Sequence, residues 1–419
     1  MGFRTAGYLS SVLASVLAFV LILGIAGQPA AKHDTNVPNL KAPLKLIGVI
    51  AIPGNPLLSS DIAWVDPGTT RFYLADRSNF GIDIIDATNN LFVGRVTGFA
   101  GPGNATPAPP NGQGPNGVLV TPNKKVWAGD GNSTVQVADV DPNSRNYLKI
   151  IKSISTAIPE CGSHCDRADE IGYDDADHFI LAANNQPLTA NASNPPTRSN
   201  PYATFISAES YQVLGHVTFE GATGLEQPLW VPELHRFFIT VPGYRNKGGS
   251  NGGNAEIAVI DPKSMKVEKT LKPGDCHASG EALGPSHHVL VTCGGPVVLN
   301  ATDGTIISRI TQIGGGDEDW YNPGDGRFYF TAEDKSTSVD SLGVIEAQSG
   351  MWLQNVPDPG GRQAVALAEN NHIFTPVRAT PAIVKDPSTD NTTCAQFGFK
   401  GTGCIAVFAH SEERTSQQK

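Results

Sequence analysis

The chain has 419 residues and a net charge of −10, with 30 Lys and Arg against 40 Asp and Glu. That acidic balance, with no Lys/Arg cluster, argues against nucleic acid and anionic membrane surfaces as partners. With 45 Gly, 31 Pro and 17% charged residues, and no long amphipathic helical pattern, the composition fits a turn-rich, all-β protein.

Residues 1–31 read as a targeting segment. Arg4 supplies a short basic region, Tyr8 to Ala26 is mostly apolar, and Gly24 and Ala26 set small residues around a cleavage point. The apolar run is long for a cleaved signal peptide, so an N-terminal membrane anchor is the alternative. Either reading exports the folded part to the periplasm or the extracellular space. Residues 32–43 form a polar linker, and Leu44–Ile52 is a lone strand with no hairpin partner after it.

Arg71–Asp76, Gly81–Asp86 and Leu91–Val96 follow as three short strands rich in β-branched and aromatic residues, separated by Asn, Gly, Ser and Asp. The same phrase returns at Val126–Asp130, Arg236–Thr240 and Arg327–Thr331. A strand unit repeating every roughly 40–50 residues predicts a propeller, because one blade cannot bury both its faces alone. The expected blades are 60–98, 116–156, 169–220, 225–272, 278–312, 317–357 and 362–409. The lone strand would complete the last of these as its outer edge. The fold expected is all-β: a seven-bladed β-propeller over 44–409, closed by an N-terminal strand, with a polar tail at 410–419. Ring closure removes exposed sheet edges.

The phrases Tyr73-Leu-Ala-Asp76, Ile82-Asp-Ile-Ile-Asp86 and Ile257-Ala-Val-Ile-Asp261 resemble those of the YVTN-type repeat proteins over most of 44–409. Blades one, two and four match well, and blades three and seven depart. The resemblance implies a propeller, in a family that includes exported binding proteins and lactonase-like enzymes.

Six cysteines suit an oxidising compartment. Their spacing suggests Cys161 with Cys165, Cys276 with Cys293, and Cys394 with Cys404. Metal binding by Cys161-Gly-Ser-His164-Cys165 is the rival for the first pair. Asn104, Asn132, Asn191, Asn300 and Asn391 begin glycosylation sequons.

Aligning the blades on Pro67, Pro122, Pro232, Pro285 and Pro323 puts Asp61, Asn116, Glu226, Ser279 and Asp317 at the start of successive inner strands. Blade three adds Asp169, and blade seven adds Arg362 or Gln363. Strand starts are often polar simply because they are solvated or cap turns. Convergence of Asp61, Asp169, Glu226 and Asp317 on one axis would instead suit a divalent cation, Ca²⁺ or Mg²⁺ before a transition metal. His277, just before an inner strand, and Glu281, two residues beyond Ser279 on the same strand face, are candidates for proton transfer, and Arg362 for holding a substrate carboxylate. The bland readings are a loop histidine beside a disulfide and an inter-blade ion pair. Gly101–Gly114 reads as a loop over the channel mouth. No serine-nucleophile elbow, zincin, phosphate-loop or dinucleotide motif occurs.

Two functions follow. One is an exported, monomeric enzyme, a metal-assisted hydrolase or lyase acting on a small lactone- or ester-like substrate at the channel mouth. The other is a non-catalytic propeller that binds a ligand, protein or glycan.

Overall fold

Each repeated phrase folds into one small antiparallel sheet, because its alternating residues can be buried only against the next repeat. The computed structural model describes residues 43–102, 113–131, 133–159, 167–184, 200–244 and 254–410. The N-terminal strand is β1 (Leu44–Ile50). Blade one holds β2 (Ala63–Asp66), β3 (Arg71–Asp76), β4 (Gly81–Asp86) and β5 (Leu91–Thr97). Blade two holds β6 (Val118–Thr121), β7 (Lys125–Asp130), β8 (Thr134–Asp139) and β9 (Lys149–Ser155). Blade three holds β10 (Ile171–Asp174), β11 (Phe179–Asn184), β12 (Tyr202–Ser207) and β13 (Val213–Thr218). Blade four holds β14 (Pro228–Val231), β15 (Arg236–Val241), β16 (Glu256–Asp261) and β17 (Lys266–Leu271). Blade five holds β18 (Ala278–Leu283), β19 (His288–Cys293), β20 (Pro296–Asn300) and β21 (Ile306–Arg309). Blade six holds β22 (Asp319–Asn322), β23 (Arg327–Glu333), β24 (Asp340–Glu346) and β25 (Met351–Pro357).

Blade seven is assembled from both ends of the propeller, in the order β1, β28 (Cys404–His410), β27 (His372–Val377), β26 (Val365–Leu367). β1 runs antiparallel to β28, with Leu44 opposite His410 and Ile50 opposite Ile405. The fold is a seven-bladed β-propeller, as the repeat predicts. Its first strands, β2, β6, β10, β14, β18, β22 and β26, neighbour one another in a closed ring around the axis.

The acid that ends many of the repeated phrases has a local cause. At the close of the third strand, Asp86 accepts from the amides of Thr88 and Asn89, Asp261 from Lys263, and Glu346 from Gln348 and Ser349. Each carboxylate thereby holds the turn into the fourth strand. Between blades the packing is apolar. Phe72 of blade one meets Phe374 of blade seven with ring centres 5.5 Å apart, and Phe328 and Phe330 fill the space between blades five and six. Burying one such side chain is worth roughly 1.5–3 kcal/mol, so blade-to-blade contact stabilises the ring far more than any surface ion pair.

Two disulfides are present among the described residues. Cys276–Cys293 ties the approach to β18 onto β19, with Cα atoms 5.2 Å apart, and Cys394–Cys404 ties the last loop to β28, at 5.8 Å. Cys161, His164 and Cys165 lie outside the described residues, as do the N-terminal segment and most of the Gly101–Gly114 loop. The two glycines bounding that loop bond to each other through their backbones. Among the described residues no helix is long and apolar enough to cross a membrane. Two boundaries differ from expectation. β1 stops at Ile50, two residues early. His410 is not tail: it ends β28, is 5% exposed, and has Nε2 3.2 Å from Asp325.

Candidate functional site: the central channel

At the start of the inner strands the ladder carries an extra residue. Asp61 donates its amide to Ala75 O while the Ala75 amide donates to Ile62 O, at 2.9 and 3.1 Å. Asn116 and Gly117 oppose Gly129 in the same way, and Asp169 and Glu170 oppose Ala183. In blade five the register slips between Ala278 and Glu281, and Gly280 donates to Thr292 Oγ1 at 3.0 Å. Such a bulge sets two consecutive residues against one and breaks the two-residue alternation of side chains.

Three layers follow from it. The first bulge residues are Asp61, Asn116, Asp169, Glu226, Ser279, Asp317 and Arg362, the set identified in the sequence. The second are Ile62, Gly117, Glu170, Gln227, Gly280, Glu318 and Gln363, which a strict alternation misses. Their signal was present: in three blades a second Glu or Gln directly follows the carboxylate. Where the second residue is glycine, the next blade's backbone comes close. A Cβ on Gly117 would lie 2.5 Å from Glu170 Cα, and one on Gly280 2.6 Å from Asp317 O. The third layer is Ala63, Val118, Ile171, Pro228, Glu281, Asp319 and Ala364, all buried.

The first layer forms the mouth. Asp61 is paired with Arg77, whose Nε and Nη2 also donate to Asn116 Oδ1 at 3.1 and 2.7 Å. Asp169 is paired with Arg167 at 2.7 Å. Asp317 Oδ2 accepts from Gln363 at 3.2 Å. The carboxylates do converge electrostatically. Burial pushes Asp61 up to about 6, Arg77 opposes the shift, and Asp169 and Asp317 add to it. Arg378 donates to Ser60 O and Oγ at 2.5 and 3.0 Å, and burial lowers its pKa.

The second layer lies deeper. Glu170 and Glu318 are 5% and 1% exposed. Glu318 Oε2 accepts the Ala63 amide at 3.0 Å, reaching past blade seven to blade one. Glu170 Oε2 is buried with no hydrogen-bond partner. Burial first, then Glu226, Asp169, Asp317 and Asp61, pushes the Glu170 carboxyl well above the ordinary range. Burial, with Asp317, Asp61 and Asp319 adding and the Ala63 amide opposing, does the same to Glu318.

These two glutamates line a cavity of about 290 Å³ together with Ile62, Trp64, Tyr173, Gln227, Leu229 and Trp230. Trp64 meets Trp320 edge to face at 5.2 Å. Because the inner strands run side by side around one axis, the second-layer residues occupy one end of this space. The aromatic residues, about 7–10 Å further along the strands, occupy the other. A second cavity of about 510 Å³ lies away from the axis on blade six, between Asp334, Trp352 and Asn355.

The remaining sequence-derived candidates fall elsewhere. His277 is exposed beside the Cys276–Cys293 disulfide, and among the described residues no hydrogen bond or ion pair joins it to Glu281. Glu281 is not on the face of Ser279, because the bulge intervenes. It lies opposite Val291, on the side turned toward blade four. Arg362 pairs with Asp340 of blade six at 3.2 Å, with its side chain 44% exposed; Gln363 is the blade-seven residue that reaches the ring. Among the described residues no group of three or more His, Cys, Asp or Glu is arranged to hold a metal ion.

No family model and no curated protein matches the chain. Solved structures similar to it include a chain from "Crystal Structure of Mitotic Checkpoint Complex". That match has 11% identity and a TM-score of 0.55, covering 95% of this chain and 99% of the other. A chain from "Kuenenia stuttgartiensis Hydrazine Synthase" is 14% identical with a TM-score of 0.52, covering 73% and 87%. At such identities the likeness establishes the propeller fold and nothing finer.

Proposed function

We propose that this is an exported propeller, related to the YVTN-type repeat proteins, that binds a small molecule in its central channel. The observation carrying the reading is the axial cavity whose wall holds Glu170, buried and with one oxygen unpartnered. A concave, mostly apolar pocket with a few convergent polar groups is the usual form of a ligand site. The repeat phrases support the family relationship, and the two disulfides fit export. Native mass spectrometry of protein purified from its exported fraction tests the reading. A bound small molecule that is lost in Leu229→Trp, which fills the cavity, is the expected result. A molecule retained by that variant, or none after reconstitution with host extract, would overturn it.

The second reading is a metal-assisted hydrolase or lyase. The electrostatic convergence of Asp61, Asp169 and Asp317 favours it, but the donor set fits a cation poorly: Asp61 and Asp169 already face guanidinium groups. It predicts a stoichiometric Ca²⁺ or Mg²⁺ whose chelation lowers the melting temperature, and whose binding is lost in Glu226→Ala or Asp317→Ala. A metal-free protein with an unchanged melt would end it. Propellers also bind protein partners, and one of the similar chains comes from a structure titled as a mitotic checkpoint complex; among the described residues no surface favours one partner.

A further inference from the structure

We propose that the channel ligand is a small organic cation, with its ammonium group at Glu170 and Glu318 and its apolar part against Trp64, Tyr173 and Trp230. The inference rests on the channel reading above and specifies the ligand class.

Charge comes first. The described residues lining the cavity include Glu170, Asp175 and Glu318, and neither Lys nor Arg. Of the cationic groups at the mouth, Arg77 and Arg167 are committed to Asp61 and Asp169, and Arg378 donates to Ser60 and faces Asp61 and Asp317. An anion entering here would meet two buried carboxyls. A neutral apolar ligand would leave Glu170 Oε2 unsatisfied, at a cost of roughly 1–3 kcal/mol. A cation matches the charge that the carboxyl takes on when it gives up its proton, and so lets the group ionise in a buried place.

The walls fit the same class. Trp230 donates its ring N–H to Asp175 at 3.0 Å, and the Tyr173 hydroxyl lies 2.9 Å from His178 Nδ1. With those polar atoms occupied, the two side chains offer ring surface to the ligand's apolar part. The volume of about 290 Å³ suits a ligand of choline or hexylamine size rather than a peptide or glycan.

Proton release follows from the carboxyls' surroundings. Glu170 faces Glu226, Asp169, Asp317 and Asp61, and Glu318 faces Asp317, Asp61 and Asp319; Arg77, Arg167 and Arg378 partly offset the mouth carboxylates. Burial holds both glutamates protonated well above the usual carboxyl range, so cation binding displaces a proton. Affinity for a permanently charged cation therefore rises with pH.

The test titrates the intact protein with choline and with its neutral isostere 3,3-dimethylbutan-1-ol, following tryptophan fluorescence and heat. The expected result is saturable choline binding, about tenfold tighter near pH 8 than near pH 5.5, with proton uptake by the buffer. The isostere, which lacks the charge that matches the two glutamates, should bind at least about tenfold more weakly. Glu170→Gln should erase the preference, and Glu318→Gln should reduce it. An isostere that binds as well as choline overturns the cation assignment while the channel reading stands. Absence of binding by choline, tetramethylammonium and hexylamine at millimolar concentration also overturns it, and the Leu229→Trp mass-spectrometry experiment then decides the channel reading separately.

Discussion

Two pairs of buried acids, one layer apart, have opposite surroundings. Glu170 and Glu318 sit in the second layer and border a cavity. Glu281 and Asp319 sit in the third layer, at 0% and 1% exposure, where the other blades carry Ala63, Val118, Ile171, Pro228 and Ala364. Among the described residues neither Glu281 oxygen has a hydrogen-bond partner. Burial and then Asp319 push the Glu281 carboxyl well above its ordinary range, and burial does the same to Asp319, with Asp317 adding. An unsatisfied acid beside a cavity can be matched by a ligand. One sealed between blades can only stay neutral, and it costs stability whenever it ionises.

The largest effect should come from writing the exception into an ordinary blade. Ala364→Asp places an acid in the sealed layer between blades six and seven and should cost about 3 kcal/mol or more. Denaturant unfolding measures it, and a loss below about 1 kcal/mol would mean that this layer is not sealed. The reverse change is next. Glu281→Val and Asp319→Ala restore the pattern of the other blades and should each stabilise by about 1–2 kcal/mol near pH 8, less near pH 5. Stabilisation equal at both pH values would show that the carboxyls are not the cause.

The pH dependence has a definite sign. Asp61 and Asp358 are held near 6 against a reference of 3.8, in both cases chiefly by burial. The folded state therefore holds protons that the unfolded chain has released. The stability this confers is present below about pH 4 and is lost as pH rises through about 6. Glu170, Glu281, Glu318 and Asp319, all raised well above their ordinary values, extend the loss to higher pH. Turn carboxylates such as Asp86, Asp261 and Glu346 are lowered instead. Their stabilisation is complete above the ordinary carboxyl range, so it does not reverse the trend above about pH 5. Melting temperature should thus decline from about pH 5 to about pH 8, and the Glu281→Val/Asp319→Ala double variant should flatten the curve. A curve that rises over that range would contradict the assignment.

The smallest effect belongs to Arg362. Its exposed pair with Asp340 should be worth no more than about 0.5 kcal/mol. Arg362→Ala should also leave channel ligand affinity unchanged within about twofold, and a larger loss would return Arg362 to the site.

What could be read from the chain is what the repeat carries locally. The strand phrases, their turn-closing acids such as Asp86 and Asp261, and the mouth residues Asp61, Asp169, Glu226 and Asp317 recur at the same places in the repeat, and Cys276 and Cys293 flank one hairpin. The lone strand Leu44–Ile50 identified the closing blade because nothing near it in sequence could pair with it. Only the tertiary structure decided the layers beneath the mouth. A single extra residue at the start of the inner strands changes which side chains face the axis, and alternation cannot register an insertion that is hydrogen-bonded across to another strand. That bulge brings Glu170 and Glu318, from blades three and six, to one cavity, and turns Glu281 away from the axis and into the seam between blades.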